Sequence, residues 1–185
     1  MIRESVVGDT PQIDSTAYVD PSAIIIGRVI IGPNCYIGAG AVIRADRFST
    51  DDEVARIVIG ACCAIQDLSV LHVYAKSFLE IGDETIISHG SVIYGTTVIG
   101  NQCFVGCKSV INQANIHDRV FIRSNAIIEN VIIPFEKLID FNMVINSEEI
   151  VGSLRPISYE EKAFMKKALE ESKEYPLSYK YSLEQ

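Results

Sequence analysis

The run from residue 81 to residue 111, IGDETIISHGSVIYGTTVIGNQCFVGCKSVI, sets an aliphatic residue at every sixth place: Ile81, Ile87, Ile93, Ile99, Val105 and Ile111. Six is not a helical period, since an α-helix repeats every 3.6 residues. The same beat extends outward, through Ile31, Ile37, Ile43, Ile59, Ile65 and Leu71 on one side and Ile116, Ile122 and Ile128 on the other. Two places before many of these stands a small residue, such as Cys35, Ala41, Cys63, Ser69, Thr85, Ser91, Cys103 or Ser109. Glycine often follows the aliphatic, as at Gly32, Gly38, Gly60, Gly82, Gly100 and Gly106. Short strands with a corner after each one describe a solenoid whose coils stack as parallel sheets. A sandwich or barrel does not account for an unbroken six-residue beat.

Composition bounds the function. The chain has 185 residues, 48% hydrophobic and 22% charged, which suits one globular unit with a substantial core. A net charge of −8 argues against a nucleic-acid partner, because phosphate backbones are met by clustered Lys and Arg. The N-terminal MIRESVVGDT lacks the apolar run of a signal peptide, and no stretch is long enough to cross a bilayer. The expected location is cytoplasmic. Five cysteines are then expected as free thiols. Cys35, Cys63 and Cys103 take the small inward position, Cys62 a corner, and His117 a turn.

Two interruptions break the beat, RFSTDDEVAR after Asp46 and VYAKSF after His72. Loops that bulge from a solenoid commonly line its binding surface. After Ile133 the beat stops at Pro134, and the segment to Pro156 is expected to run back along the solenoid. Ser158 and Glu161 have capping-box spacing. An amphipathic helix is expected from about Tyr159 to Lys173, with Ala163, Phe164, Ala168 and Leu169 inward and Pro176 ending it. The organisation expected is a solenoid over residues 1–156, including the return segment, and a C-terminal helix and tail over 157–185 packing on it, with a neighbouring subunit as a second place for the tail's tyrosines.

Moving on three hexapeptides climbs one coil, about 4.8 Å. Counting past the interruptions stacks Arg44, His72, Tyr94 and Asn112 in one column and Ala39, Asp67, His89 and Cys107 in another, at a different corner. Two histidines at different corners of one prism are too far apart to hold one ion, because metal–nitrogen bonds are only about 2 Å long. Three prisms around a threefold axis would bring one column against a neighbour's other column.

The repeat itself resembles the hexapeptide-repeat left-handed parallel β-helix, an all-β solenoid with three hexapeptides per triangular coil. At Arg44-Ala45-Asp46, Gln66-Asp67, His72 six places after Gln66, and His89-Gly90 seventeen places after His72, the chain resembles the γ-class carbonic anhydrases. The resemblance runs on through CFVGCKSVINQANI and the segment from Ile132-Ile133-Pro134 to Met143-Val144-Ile145, and is nearest the archaeal and carboxysomal branch. It implies a homotrimer with one Zn²⁺ or Fe²⁺ at each subunit interface, a metal-bound hydroxide attacking carbon dioxide or a related small substrate, and a C-terminal helix. His72 and His89 are the implied ligands, Gln66 hydrogen-bonds the hydroxide, and Arg44 and Asp46 fix the interface.

The chain departs from that pattern at the third ligand. Five residues after His89 stands Tyr94, and tyrosine is absent from the usual zinc set. Tyr94 is therefore open between ligand, general acid and plug, with Cys107 as an alternative thiolate ligand. Gln66, Asp67 and Tyr94 are the candidate catalytic residues. Arg47 stands where the related branch has an acidic proton acceptor, and the segment after His72 has no acid near its start. Two other readings stay open beside the metal-dependent lyase. One is a catalytically inactive trimeric scaffold. The other is a hexapeptide acyltransferase, with His72 or His89 as general base and coenzyme A along the interface groove.

Overall fold

The computed structural model describes residues 1–45 and 55–183. Strands follow one another around a triangle, so that every third strand pairs in parallel with the one before. The result is a left-handed parallel β-helix of about seven coils with a helical C-terminal segment. Its hand runs against the usual right-handed crossover of parallel strands. Among the described residues face one has eight strands, from Ile2–Arg3 to Val144–Ile145, and faces two and three have seven each.

The six-residue beat is the interior of the prism. Ile43, Leu71, Ile93 and Ile111 stack along face one, Ile59, Ile81 and Ile99 along face two, and Ile37, Ile65, Ile87 and Val105 along face three, all buried. The small position before each also points inward, and its hydroxyl or thiol serves the next coil. Ser69 Oγ donates to Ser88 O at 3.1 Å, Ser91 Oγ to Gly106 O at 3.0 Å and Thr85 Oγ1 to Gly100 O at 2.8 Å. A corner carbonyl that would otherwise be buried without a partner is thereby satisfied. Cys35, Cys63 and Cys103 fill the same position, buried and free, and burial pushes the Cys103 thiol up to about 12. Cys62 turns a corner at a φ of 56°, and His117 is an exposed turn residue, as their places in the repeat imply.

Corners demand positive φ, and side-chain residues supply most of it. Asn34, Cys62, Glu84, Gln102, Arg119 and Glu136 all sit near 55°. Glycine is required at Gly27, where φ is 83° and a Cβ would stand 2.1 Å from Ala45 O.

The interruption after His72 is an ordered extension of one corner. Its extra residues lengthen two strands to Val70–Val73 and Phe78–Ile81, and the turn between them is tied by Ser77 Oγ donating to Tyr74 O at 2.7 Å. The earlier interruption opens at the same corner, since Val42–Ala45 and Arg56–Ile59 pair with those two strands. Of that stretch only Ala55 and Arg56 lie among the described residues.

Beyond Ile133 the structure departs from expectation. Pro134 occupies a corner, and Leu138–Ile139 and Val144–Ile145 continue faces three and one. The chain leaves the prism only at helix α1, Glu148–Ser153. Helix α2, Tyr159–Ser172, opens on the expected capping box: Ser158 Oγ accepts from Glu161 N at 3.2 Å, and Glu161 Oε2 accepts from Ser158 N at 2.7 Å. Its buried stripe is Glu161, Met165, Leu169 and Ser172, with Ala168 partly covered. Ala163 points to solvent, while Phe164, though 51% exposed, rests on Phe104 and Phe121. Pro176 does not end the helical segment. It lies in the first turn of helix α3, Tyr175–Leu183, where a missing N–H costs nothing.

Both long helices cover face three. Its outward residues, Tyr18, Tyr36, Ala64, Ile86, Phe104, Phe121 and Leu138, form an apolar and aromatic strip with α2 and α3 over it. The tail's tyrosines pack on this same chain, with Tyr179 5.1 Å from Tyr18 and 5.4 Å from Tyr36, and Tyr175 5.2 Å from Tyr36. Burial, with Tyr179 close by, holds the Tyr36 phenol well above the ordinary tyrosine range.

Candidate functional site

Both columns inferred from the repeat are present. On face one, His72 is in register with Arg44 below and Tyr94 above, and Tyr94 with Asn112. At the corner from face three to face one, Leu68 N donates to Ala39 O, Gly90 N to Asp67 O and Lys108 N to His89 O, at 2.9, 3.0 and 3.0 Å. These bonds stack Ala39, Asp67, His89 and Cys107.

Asp67 is held by the coil beneath it. Its Oδ1 accepts from Ala39 N at 2.9 Å, in space that the missing Cβ of Gly38 leaves clear. Asp83 and Asp118 do the same at the corner from face two to face three, taking Ala61 N at 2.7 Å and Asn101 N at 2.8 Å. Asp67 alone of these three has an imidazole above it: Oδ2 lies 3.6 Å from His89 Nδ1. His89 is exposed, with 57% of its side chain open to solvent. A carboxylate thus stands on the Nδ1 side of an exposed imidazole, just beyond hydrogen-bond distance.

His72 is half-buried on face one, its ring 6.2 Å from that of Tyr74. It stands level with Tyr94 in the column on face one, whereas His89 stacks on Asp67 in the column at the preceding corner. One chain therefore does not bring His72 and His89 together, and Tyr94 keeps company with His72. Gln66 is half-buried beside Asp67, its N–H donating to Ile87 O at 2.8 Å. Arg44 is exposed on face one. Asp46 lies outside the described residues.

Cys107 opens onto a feature that the repeat did not announce. A groove of about 450 Å³ runs between face three and α2, lined by Phe104, Phe121, Phe141, Phe164, Cys107 and Arg123 among others. Arg123 forms one edge, its guanidinium 4.9 Å from the Phe141 ring and 3.0 Å from Glu161 Oε1. Glu161 also takes Arg155 at 2.6 Å, and these partners hold its carboxyl at about 2, Arg155 foremost. Phe104 and Phe121 occupy the same outward position seventeen residues apart. That spacing was the signal available in the sequence.

A family model described as bacterial transferase hexapeptide (six repeats) matches residues 4–45. The carnitine operon protein CaiE of Escherichia coli O1:K1 is 38% identical over 104 residues, which is 56% of this chain and 49% of that protein. The chain thus spans about half the length of the curated relatives it matches. A solved hexapeptide transferase family protein from Anaplasma phagocytophilum is 25% identical, with a TM-score of 0.79 over 97% of this chain and 98% of its own. A Bacillus cereus structure, 21% identical with a TM-score of 0.78, covers 98% of this chain and 99% of its own and shows the same fold.

These findings correct the expectation of a carbonic anhydrase. The family model and the Anaplasma structure are described as hexapeptide transferases and the Escherichia coli relative as a carnitine operon protein, and none of these is described as an anhydrase. Among the described residues no three His, Cys, Asp or Glu side chains gather where they could hold one metal ion. The lyase and zinc-binding readings, with His72, His89 and Tyr94 or Cys107 as ligands, are withdrawn. What the chain and its matches share is the hexapeptide repeat wound into a left-handed β-helix.

Proposed function

We propose that this protein transfers an acyl group from a coenzyme A thioester to an amine or hydroxyl acceptor, with His89 as general base. The observation that carries the proposal is the Asp67–His89 pair on a solvent-open corner. An imidazole whose Nδ1 faces a carboxylate presents Nε2 as a proton acceptor. Nε2 would take the acceptor's proton as its oxygen or nitrogen attacks the thioester carbonyl. The carbon–sulfur bond then breaks, and the imidazolium returns the proton to the departing thiolate. Asp67 acts as a positioning residue, and the hexapeptide transferase names among the matches support this reaction class.

The working form in this reading is a cytoplasmic homotrimer. Face one presents an outward ladder of Val42, Val70, Val92 and Val110, continued by the exposed Ile127 and Val144. An uncovered aliphatic strip of that length supports burial against another copy. That contact would bring His72, Tyr94 and Arg44 near the partner's corner, where Gln66 also sits.

The test is release of coenzyme A thiol from acetyl-CoA and from hexanoyl-CoA in the presence of a panel of amines and sugars. His89→Ala should lower the rate at least about 100-fold while leaving assembly intact. Undiminished turnover in that variant, or no binding of coenzyme A by the wild-type protein, would sink the proposal and favour an inactive scaffold.

A further inference from the structure

We infer that the phenylalanine-lined groove beside Cys107 receives the apolar acyl chain of the donor thioester, so that the preferred acyl group is of medium length rather than acetyl. The inference rests on the thioester reading above. Its first support is position. Cys107 stacks directly on His89, one coil further along the same corner, about 4.8 Å away along the axis. A carbonyl held beside His89 therefore has the groove as its next neighbour in that direction.

Chemistry supplies the second support. Phe104, Phe121 and Phe164 meet one another at centroid separations of 5.3 to 5.6 Å and form one wall. Phe141, 54% exposed, stands across from them with Arg123 against its ring. Arg123 is paired in charge by Glu161 and Asp140, with its buried Nε left without a hydrogen-bond partner, and the phenyl walls offer a guest hydrocarbon contact. Two phenylalanines left more than half exposed over a groove of about 450 Å³ are what an aliphatic chain would cover. The side chain of Cys107 is small enough to keep the passage from His89 open.

The experiment is calorimetric titration of the full-length protein with two unreactive thioethers, S-ethyl-CoA and S-hexyl-CoA. Each buried methylene is worth about fourfold in affinity, ~0.8 kcal/mol. Four extra methylenes in a half-open groove should tighten binding at least about tenfold. Phe164→Ser and, separately, Phe141→Ser should bring S-hexyl-CoA back to the affinity of S-ethyl-CoA. Equal binding of the two thioethers to the wild-type protein, or a preference that survives both substitutions, overturns the groove and leaves the thioester reading standing. If neither thioether binds, the thioester reading fails. Hexanamide then decides the groove alone, which stands as a hydrocarbon site if the amide shifts the ring resonances of Phe104, Phe121 and Phe164, and falls if it does not.

Discussion

Asp67 faces two coils at once: its Oδ1 accepts from Ala39 N at 2.9 Å and its Oδ2 lies 3.6 Å from His89 Nδ1. The same side chain fastens a corner and, in the proposed reaction, would position the base. Two substitutions separate these tasks. Asp67→Asn keeps an oxygen for Ala39 N, and should leave the melting temperature nearly unchanged while acyl transfer falls roughly tenfold or more. Asp67→Ala loses both, and should also lower stability by about 1–2 kcal/mol in a denaturant titration. If Asp67→Asn is as active as the wild-type protein, the carboxylate does not orient His89.

Glu161 closes the capping box while accepting from Arg155 and Arg123 at 2.6 and 3.0 Å. Its carboxyl is held at about 2, so the folded value is depressed. Stability from this group is fully present above the ordinary carboxylate range and is lost as pH falls toward 2. Glu161→Gln should destabilise the protein by roughly 1–3 kcal/mol at neutral pH and flatten its acid unfolding profile. Parallel profiles for the two proteins would remove Glu161 from the account.

Gly27 and Gly8 both have positive φ, 83° and 89°, yet only the first is hemmed in. An added Cβ at Gly27 would meet Ala45 O at 2.1 Å, whereas at Gly8 it meets nothing within 4 Å. Gly8→Ala should cost only the conformational strain, about 1–2 kcal/mol. Gly27→Ala should cost distinctly more, because backbone must move. Equal losses in thermal unfolding would show that the strand edge yields more easily than close packing implies.

Thr85 Oγ1 donates to Gly100 O at 2.8 Å and accepts from Cys103 N at 3.1 Å, with its residue buried. Thr85→Val keeps the shape and removes both bonds. The expected loss is about 1–3 kcal/mol, since two buried backbone groups lose their partner. Thr85→Ser should recover most of it.

The prism was legible because its restraints are local and repeated. A six-residue beat with a small residue two places earlier needs no long-range information, and it correctly stacked His72 on Arg44 and His89 on Asp67. The last coil was missed because Pro134 was read as a stop, although a corner residue need not donate to a ladder. The buried stripe of α2 is legible only in part: helical spacing places Ala168 and Leu169 on the covered side, but Ala163 points to solvent and Phe164 is half exposed, because the helix approaches face three by its Met165 and Leu169 side. Which side of a helix meets a sheet depends on the docking angle, and no local pattern carries that. Site chemistry was the least legible. The spacing of His72, His89 and Gln66 points by resemblance to an anhydrase that the matches do not support, while the Asp67 contact and the phenylalanine groove come from residues that look like ordinary corner and outward positions of the repeat.

A stack of coils should unravel like a zip, because each coil touches only its neighbours and the outermost one has the least to lose. In this chain helix α3 is fastened to the first coils. Helix α3 lays Tyr179 on Tyr18 and Tyr36, and Lys180 donates to Ser15 O. Before the first coils can peel away, the last helix must let go. That clasp joins the weakest layers of the stack to a segment more than a hundred residues distant and turns a one-dimensional array into a ring of dependencies. Melting should accordingly be a single sharp event, where an unclasped solenoid of the same coils would fray from its N-terminal end.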